Sequence, residues 1–116
     1  MIFIIDDDEI MAECIAKACE GVDETRTFSN GIIAMQALDG NKLPRLIFLD
    51  ILLDGPDGFT FLNELMSYAD TIKVPIVIVS SLDFKDQDLS TYGVVGVLDK
   101  NTMTPQEIRN YAERYC

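Results

Sequence analysis

The chain has 116 residues, 48% of them hydrophobic, and a net charge of −11 from nine basic and twenty acidic side chains. That length supports one hydrophobic core and excludes two, and the apolar share excludes a disordered chain. The acidity argues against binding nucleic acid or an anionic membrane surface, since both would be repelled.

In chain order, Ile2 to Ile5 is a short apolar run of strand-forming residues that ends in Asp6-Asp7-Asp8-Glu9. Acids at that point suit the start of a helix, where they cap free N–H groups and complement the dipole. The helix is predicted to run to about Cys19, with Met11, Ile15 and Ala18 on one face and Gly21 as its stop. Glu24 to Phe28 is a second, weaker strand. Ser29 can cap a second helix whose Ile33, Ala34, Ala37 and Leu38 face inward.

Leu46 to Leu49 is too short for a helix and suits a strand buried on both faces, with Asp50 at its end. Asp54-Gly55-Pro56-Asp57-Gly58 is turn chemistry. Phe59, Leu62, Leu65, Met66 and Ala69 then form the stripe of a third helix. Pro75 opens the uniformly apolar strand Ile76 to Val79, closed by Ser80 and Ser81. Asp83 to Tyr92 is a polar helix stopped by Gly93. Val94 to Leu98 is a fifth strand, interrupted by Gly96 and ending at Asp99-Lys100. Thr104-Pro105-Gln106-Glu107 is a capping box, and Ile108, Tyr111, Ala112 and Tyr115 face inward from the last helix.

Cys14, Cys19 and Cys116 include no CxxC pair and leave an odd thiol. Neither a disulfide framework nor a zinc site is indicated, and the expectation is small core thiols in a reducing cytoplasm, with Cys116 exposed. No apolar run approaches the ~20 residues that span a bilayer, and the acids at Asp6 to Glu9 come too early for a secretory signal.

Five strands alternating with five helices imply an α/β fold with a doubly wound parallel sheet, helices on both faces. Right-handed connections bring all the strand ends to one edge. That edge collects Asp6 and Asp7, Asp50, Ser80 and Lys100. Carboxylates about 4 Å apart repel by roughly 4 kcal/mol at an effective dielectric near 20, so a positive charge belongs among them. Oxygen-only donors favour Mg²⁺ or Mn²⁺ over zinc. An Asp at such a site can itself be the nucleophile, forming an aspartyl phosphate, with Lys100 and the Ser80 hydroxyl holding the phosphoryl oxygens.

These residues carry a resemblance to a family. Asp6 and Asp7 follow IFII, Asp50 follows LIFL, Asp57-Gly58 comes seven and eight residues later, Ser80 follows IVIV and Lys100 follows GVLD. In this the whole chain, residues 1–116, resembles the receiver domain of two-component response regulators. The resemblance implies a flavodoxin-like sheet of order 2-1-3-4-5. It implies that Asp50 accepts a phosphoryl group from a sensor histidine kinase or a histidine phosphotransfer protein. Asp6, Asp7, Asp50 and the backbone carbonyl of Leu52 would hold Mg²⁺, Ser80 would be the switch hydroxyl, and Lys100 would contact the phosphoryl group. The domain would be a cytoplasmic signalling phosphoacceptor more than an enzyme, a monomer or weak dimer, acting on a downstream effector domain or protein.

The chain departs from that pattern in four places. Asn101 stands where receivers usually place a proline joined by a cis bond; a cis bond before a non-proline costs about 2.5 to 4 kcal/mol, so a trans bond and a differently shaped loop are expected. Val97 replaces a common aromatic switch residue. Leu53-Asp54 replaces the frequent Met-Pro. Leu52 and Leu82 flank the phosphoryl position with apolar groups that would hinder an in-line water, which implies slow hydrolysis. Two other readings compete. Asp6-Asp7-Asp8 is also a D-x-D after an apolar strand, as in haloacid-dehalogenase-like phosphatases, with Asp6 as nucleophile and Asp8 as general acid. The chain could also be a receiver-like interaction module that signals without phosphorylation.

Overall fold

The computed structural model describes residues 1–38, 43–51, 58–68, 71–81 and 93–116. The strands are β1 (Ile2–Ile5), β2 (Thr25–Phe28), β3 (Leu46–Asp50), β4 (Ile76–Ser80) and β5 (Val94–Asp99). The helices among the described residues are α1 (Glu9–Ala18), α2 (Gly31–Ala37), α3 (Gly58–Met66) and α4 (Pro105–Tyr115), with a single 3-10 turn at Thr71–Lys73. The expected helix at 83–92 lies outside the described residues, as do Leu52, Leu53, Asp54, Asp57, Ala69 and Leu82.

The strands form one parallel sheet of order β2-β1-β3-β4-β5, as the resemblance implied. Its three inner strands are apolar at nearly every position because successive side chains point to opposite faces and both faces are covered. Phe3, Ile5, Ile47, Leu49, Ile76 and Ile78 pack with Ala34 of α2 and with Phe61, Leu62 and Leu65 of α3. Ile2, Ile4, Leu46, Phe48, Val77 and Val79 pack on the other side with Ala12 and Ile15 of α1 and with Ile108 and Ala112 of α4. Each of the Val, Leu, Ile and Phe side chains among them contributes about 1.5 to 3 kcal/mol when fully buried.

The helix ends follow local chemistry. Asp8 is the N-cap of α1, its carboxylate accepting from the N–H groups of Ile10 and Met11 at 3.0 and 3.3 Å. Gly21, with φ of 83°, turns the chain beyond the C-terminus of α1. The capping box of α4 is complete, with Thr104 N–H donating to Glu107 and Glu107 N–H to Thr104.

Three expectations need correction. Asn30, not Ser29, caps α2, and Ile33 is exposed while Gly31 and Ala34 face the core. A helix of two turns is too short for its periodicity to fix which stripe faces inward. Cys14 is exposed and only Cys19 is fully buried, while Cys116 is half-buried against the α1–α4 side of the core. Burial pushes the Cys19 thiol pKa up to about 11, which keeps it protonated and unreactive.

Strand β5 departs from regular pairing. Its register on β4 skips Val95, with Ile76 opposite Val94 and Val77 opposite Gly96, so one extra residue is accommodated. Gly96 lies under the Tyr111 ring, and a Cβ there would overlap the phenol. Gly96→Ala should therefore cost about 1 to 3 kcal/mol through overpacking. In urea unfolding, Tyr111→Ala should absorb much of that loss when added to Gly96→Ala. Strict additivity of the two losses would contradict the packing.

Candidate functional site

The register of the sheet brings the site together. Ile5 pairs with Leu49 and Val79 with Asp50, so the residues that follow β1, β3 and β4 emerge side by side. The described members of the predicted set meet at this edge. Asp6, Asp7 and Asp50 each offer a carboxylate oxygen within 4.8 Å of the others. The Lys100 ammonium lies 2.9 Å from Asp50 Oδ2 and 3.2 Å from Asp6 Oδ2. Ser80, at the end of β4, is fully buried, and its backbone carbonyl accepts the Lys100 N–H at 3.0 Å. The Leu52 carbonyl, expected as a further metal ligand, lies outside the described residues.

Asp6 and Asp50 are each only 4% exposed, whereas Asp7 is exposed at the mouth. Asp6 Oδ1 accepts the Asp8 N–H at 2.9 Å, which fixes the turn into α1. Asp6 Oδ2 is buried and, among the described residues, receives no hydrogen bond; Lys100 approaches it as an ion, not along a hydrogen-bond axis.

Burial raises the Asp6 pKa, and the Asp50 charge adds to it; the Asp8 N–H and Lys100 offset this only in part. For Lys100, burial acts to lower the pKa, but the hydrogen bond to Asp50 and the charge of Asp6 outweigh it and the result is a raised value. Lys100 is thus held as the internal countercharge of the pocket.

This arrangement fits a hard divalent cation. Three carboxylates and one ammonium leave a formal −2, one buried carboxylate oxygen has an ion pair with Lys100 but no hydrogen bond among the described residues, and every available ligand is an oxygen. The D-x-D reading fares worse, because it needs a protonated Asp8. Asp8 is instead engaged as the N-cap of α1, its carboxylate accepting from two N–H groups at the helix start.

The loop after β5 carries a feature that the residue types alone did not single out. No peptide bond is cis among the described residues, so Lys100–Asn101 is trans as expected. Asp99 accepts the Asn101 N–H on its carboxylate at 2.8 Å, and its carbonyl accepts from Thr102 at 3.1 Å and Met103 at 2.8 Å. Asp-Lys-Asn at a strand end is a signal for such a turn. Val97 is 42% exposed on β5.

A flavodoxin-like parallel sheet with a carboxylate cluster and a lysine at its carboxyl edge defines a class of acid-pocket α/β domains. Within that class, the model of the response regulator receiver domain matches residues 2–113. The chain belongs to the response regulator receiver family. It is 32% identical over 83 residues to response regulator PleD of Caulobacter vibrioides, covering 71% of this chain and 18% of that protein. It is 30% identical over 92 residues to protein-glutamate methylesterase/protein-glutamine glutaminase 2 of Chromobacterium violaceum, covering 77% of this chain and 25% of that protein. The chain thus spans a quarter or less of these curated relatives. Among solved structures, the receiver domain of NtrX from Brucella abortus superposes with a TM-score of 0.82 at 28% identity, covering 99% of this chain and 97% of that one. Family membership decides against the phosphatase reading. Among the described residues, no helix is long and apolar enough to cross a membrane.

Proposed function

We propose that the chain, residues 1–116, is a phosphoryl-accepting receiver of a two-component system, with Asp50 as acceptor and a phosphohistidine of a sensor kinase or phosphotransfer protein as donor. The observation that carries this reading is the Asp50 carboxylate, buried beside Asp6 and Asp7 and held by Lys100 at 2.9 Å. In the transfer, an Asp50 oxygen forms a bond to phosphorus as the phosphorus–nitrogen bond to the donor imidazole breaks. The imidazole leaves with the electron pair and takes a proton from solvent. Asp6, Asp7, Asp50 and the Leu52 carbonyl would hold Mg²⁺, which when bound supplies charge neutralisation for the carboxylates and the phosphoryl oxygens.

Lys100 then exchanges its contact with the Asp50 carboxylate for one with a phosphoryl oxygen, and the Ser80 hydroxyl donates to another. Hydrogen bonds to charged groups contribute roughly 1.5 to 3 kcal/mol each, about 3 to 6 for the pair. Moving a two-state equilibrium from 1:99 to 99:1 takes about 5.5 kcal/mol, so a strong switch needs both contacts to differ between states. The domain would work in the cytoplasm, as a monomer or weak dimer, upstream of an effector domain or protein.

Incubation with acetyl phosphate and Mg²⁺ should add one acid-stable, base-labile phosphoryl group, located by mass spectrometry on Asp50. Asp50→Asn should take up none and should fail to bind BeF₃⁻. Label on Asp6, or equal labelling of the variant, would overturn the assignment.

Val97 and Asn101, in place of the family's usual aromatic and proline, favour a second reading, in which the domain binds its partner without phosphorylation. Partner binding unchanged in Asp50→Asn would support that reading over the first.

A further inference from the structure

We propose that Asp99 is a positioning residue for Lys100. This inference rests on the acceptor reading above for its consequence in phosphoryl transfer, and on hydrogen bonds for its geometry. Lys100 leaves the sheet directly after Asp99, which sits opposite Ser80 in the β4–β5 register. The Lys100 N–H is tied to the Ser80 carbonyl at 3.0 Å. The next three N–H groups, of Asn101, Thr102 and Met103, all converge on Asp99, the first on its carboxylate and the others on its carbonyl. Four successive amides are thereby satisfied, and the backbone of Lys100 is held on both sides. Its side-chain torsions alone then carry the ammonium to Asp50 and Asp6.

The Asp99 side chain is what makes this turn specific. Backbone carbonyl bonds at Thr102 and Met103 are available to any residue, whereas the 2.8 Å bond to the Asn101 N–H needs a short side-chain acceptor two residues earlier. The peptide after Lys100 is trans and Asn101 lacks a ring to restrict its backbone, so the loop depends on hydrogen bonds for its shape. Asp99 is exposed whereas Asp6 and Asp50 are buried, which separates its role from that of the pocket carboxylates.

Loosening the turn should let Lys100 withdraw from the pocket. A phosphoryl mimic then loses a partner, while a cation in the same pocket loses a competitor. The two affinities should therefore move in opposite directions, a pattern that general destabilisation does not produce. Asn at the same position keeps the side-chain carbonyl and removes only the charge.

The test compares the intact chain with Asp99→Ala and Asp99→Asn by calorimetric titration of Mg²⁺ alone and of BeF₃⁻ in saturating Mg²⁺, with circular-dichroism melts as the control for folding. Asp99→Ala should bind BeF₃⁻ about five- to tenfold more weakly, the equivalent of one net hydrogen bond. It should also bind Mg²⁺ more tightly than wild type, and Asp99→Asn should restore both affinities most of the way. Unchanged affinities in Asp99→Ala, or a joint weakening of both that tracks a lower melting temperature, would overturn the inference. So would an Asn variant that behaves like the Ala variant. The Mg²⁺ titration reads Lys100 without phosphoryl chemistry, so it still tests Asp99 if Asp50 takes no label.

Discussion

Lys100→Met should strengthen Mg²⁺ binding and cripple phosphoryl transfer at the same time. The ammonium bridges Asp50 and Asp6, and any cation entering beside these carboxylates must work against it. At a few ångströms and an effective dielectric near 20, removing one unit of like charge is worth several kcal/mol before solvent screening. An affinity gain of about tenfold or more is the expectation. Without metal, the same substitution leaves two buried carboxylates facing each other and should lower stability by roughly 2 to 4 kcal/mol, because breaking a buried pair strands the remaining charge. Saturating Mg²⁺ should recover most of that loss by mass action. Labelling from acetyl phosphate should fall about tenfold to a hundredfold, the value of one charged hydrogen bond to the phosphoryl oxygens. Calorimetry and chemical unfolding with and without EDTA read the first two effects. Mg²⁺ affinity equal to or below that of wild type would show that Lys100 is not the competitor the geometry makes it.

Asp6→Asn should act in the opposite sense. Burial, with the Asp50 charge behind it, raises the pKa of this carboxyl in the folded chain above its ordinary 3.8. A folded state with the higher pKa takes up the proton first. The metal-free protein therefore carries the full cost of the ionised Asp6 at neutral pH and is relieved of it as the pH falls through the folded value towards 3.8. Asparagine keeps an acceptor for the Asp8 N–H while removing the charge, so it should stabilise the metal-free protein at neutral pH by on the order of 1 to 2 kcal/mol.

The advantage of the variant should shrink on the acid side. Asp23 works the other way: its hydrogen bond from the N-terminal ammonium lowers its pKa, so its stabilisation is present above the ordinary value and lost below it. The difference between variant and wild type, measured across the acid range, cancels that common contribution. In Mg²⁺ the order should reverse, because the variant has lost one of three carboxylates. A metal-free Asp6→Asn protein less stable than wild type at neutral pH would mean that Lys100 already compensates the pocket in full.

Much of this was readable from residue types. Unbroken apolar runs at Ile2–Ile5, Leu46–Leu49 and Ile76–Val79 marked inner strands, because only a sheet covered on both faces buries every side chain of a strand. The acids and hydroxyl that ended those runs, and the ammonium that follows the fifth strand, could then be placed on one edge by parallel topology. The capping box at Thr104–Glu107 and the N-cap role of Asp8 follow from chemistry within four residues, and the structure has both.

What escaped that reading depended on contacts distant in sequence. Ile33 is exposed because the phase of a seven-residue helix is set by what it packs on, here Phe61 beside Gly31. Gly96 is required by the Tyr111 ring lying over it, fifteen positions further along the chain.

The sequence by itself determined the element order, the two-faced core and the identity of the side chains at the carboxyl edge of the sheet, because these follow from spacing and strand polarity. Tertiary structure decided which of those side chains touch. Lys100 lies between Asp6 and Asp50, the buried Asp6 Oδ2 meets Lys100 as an ion pair and receives no hydrogen bond among the described residues, and Asp99 shapes the turn beside them. Those are matters of a few ångströms, set by register and packing across the whole sheet, and local sequence carries no term for them.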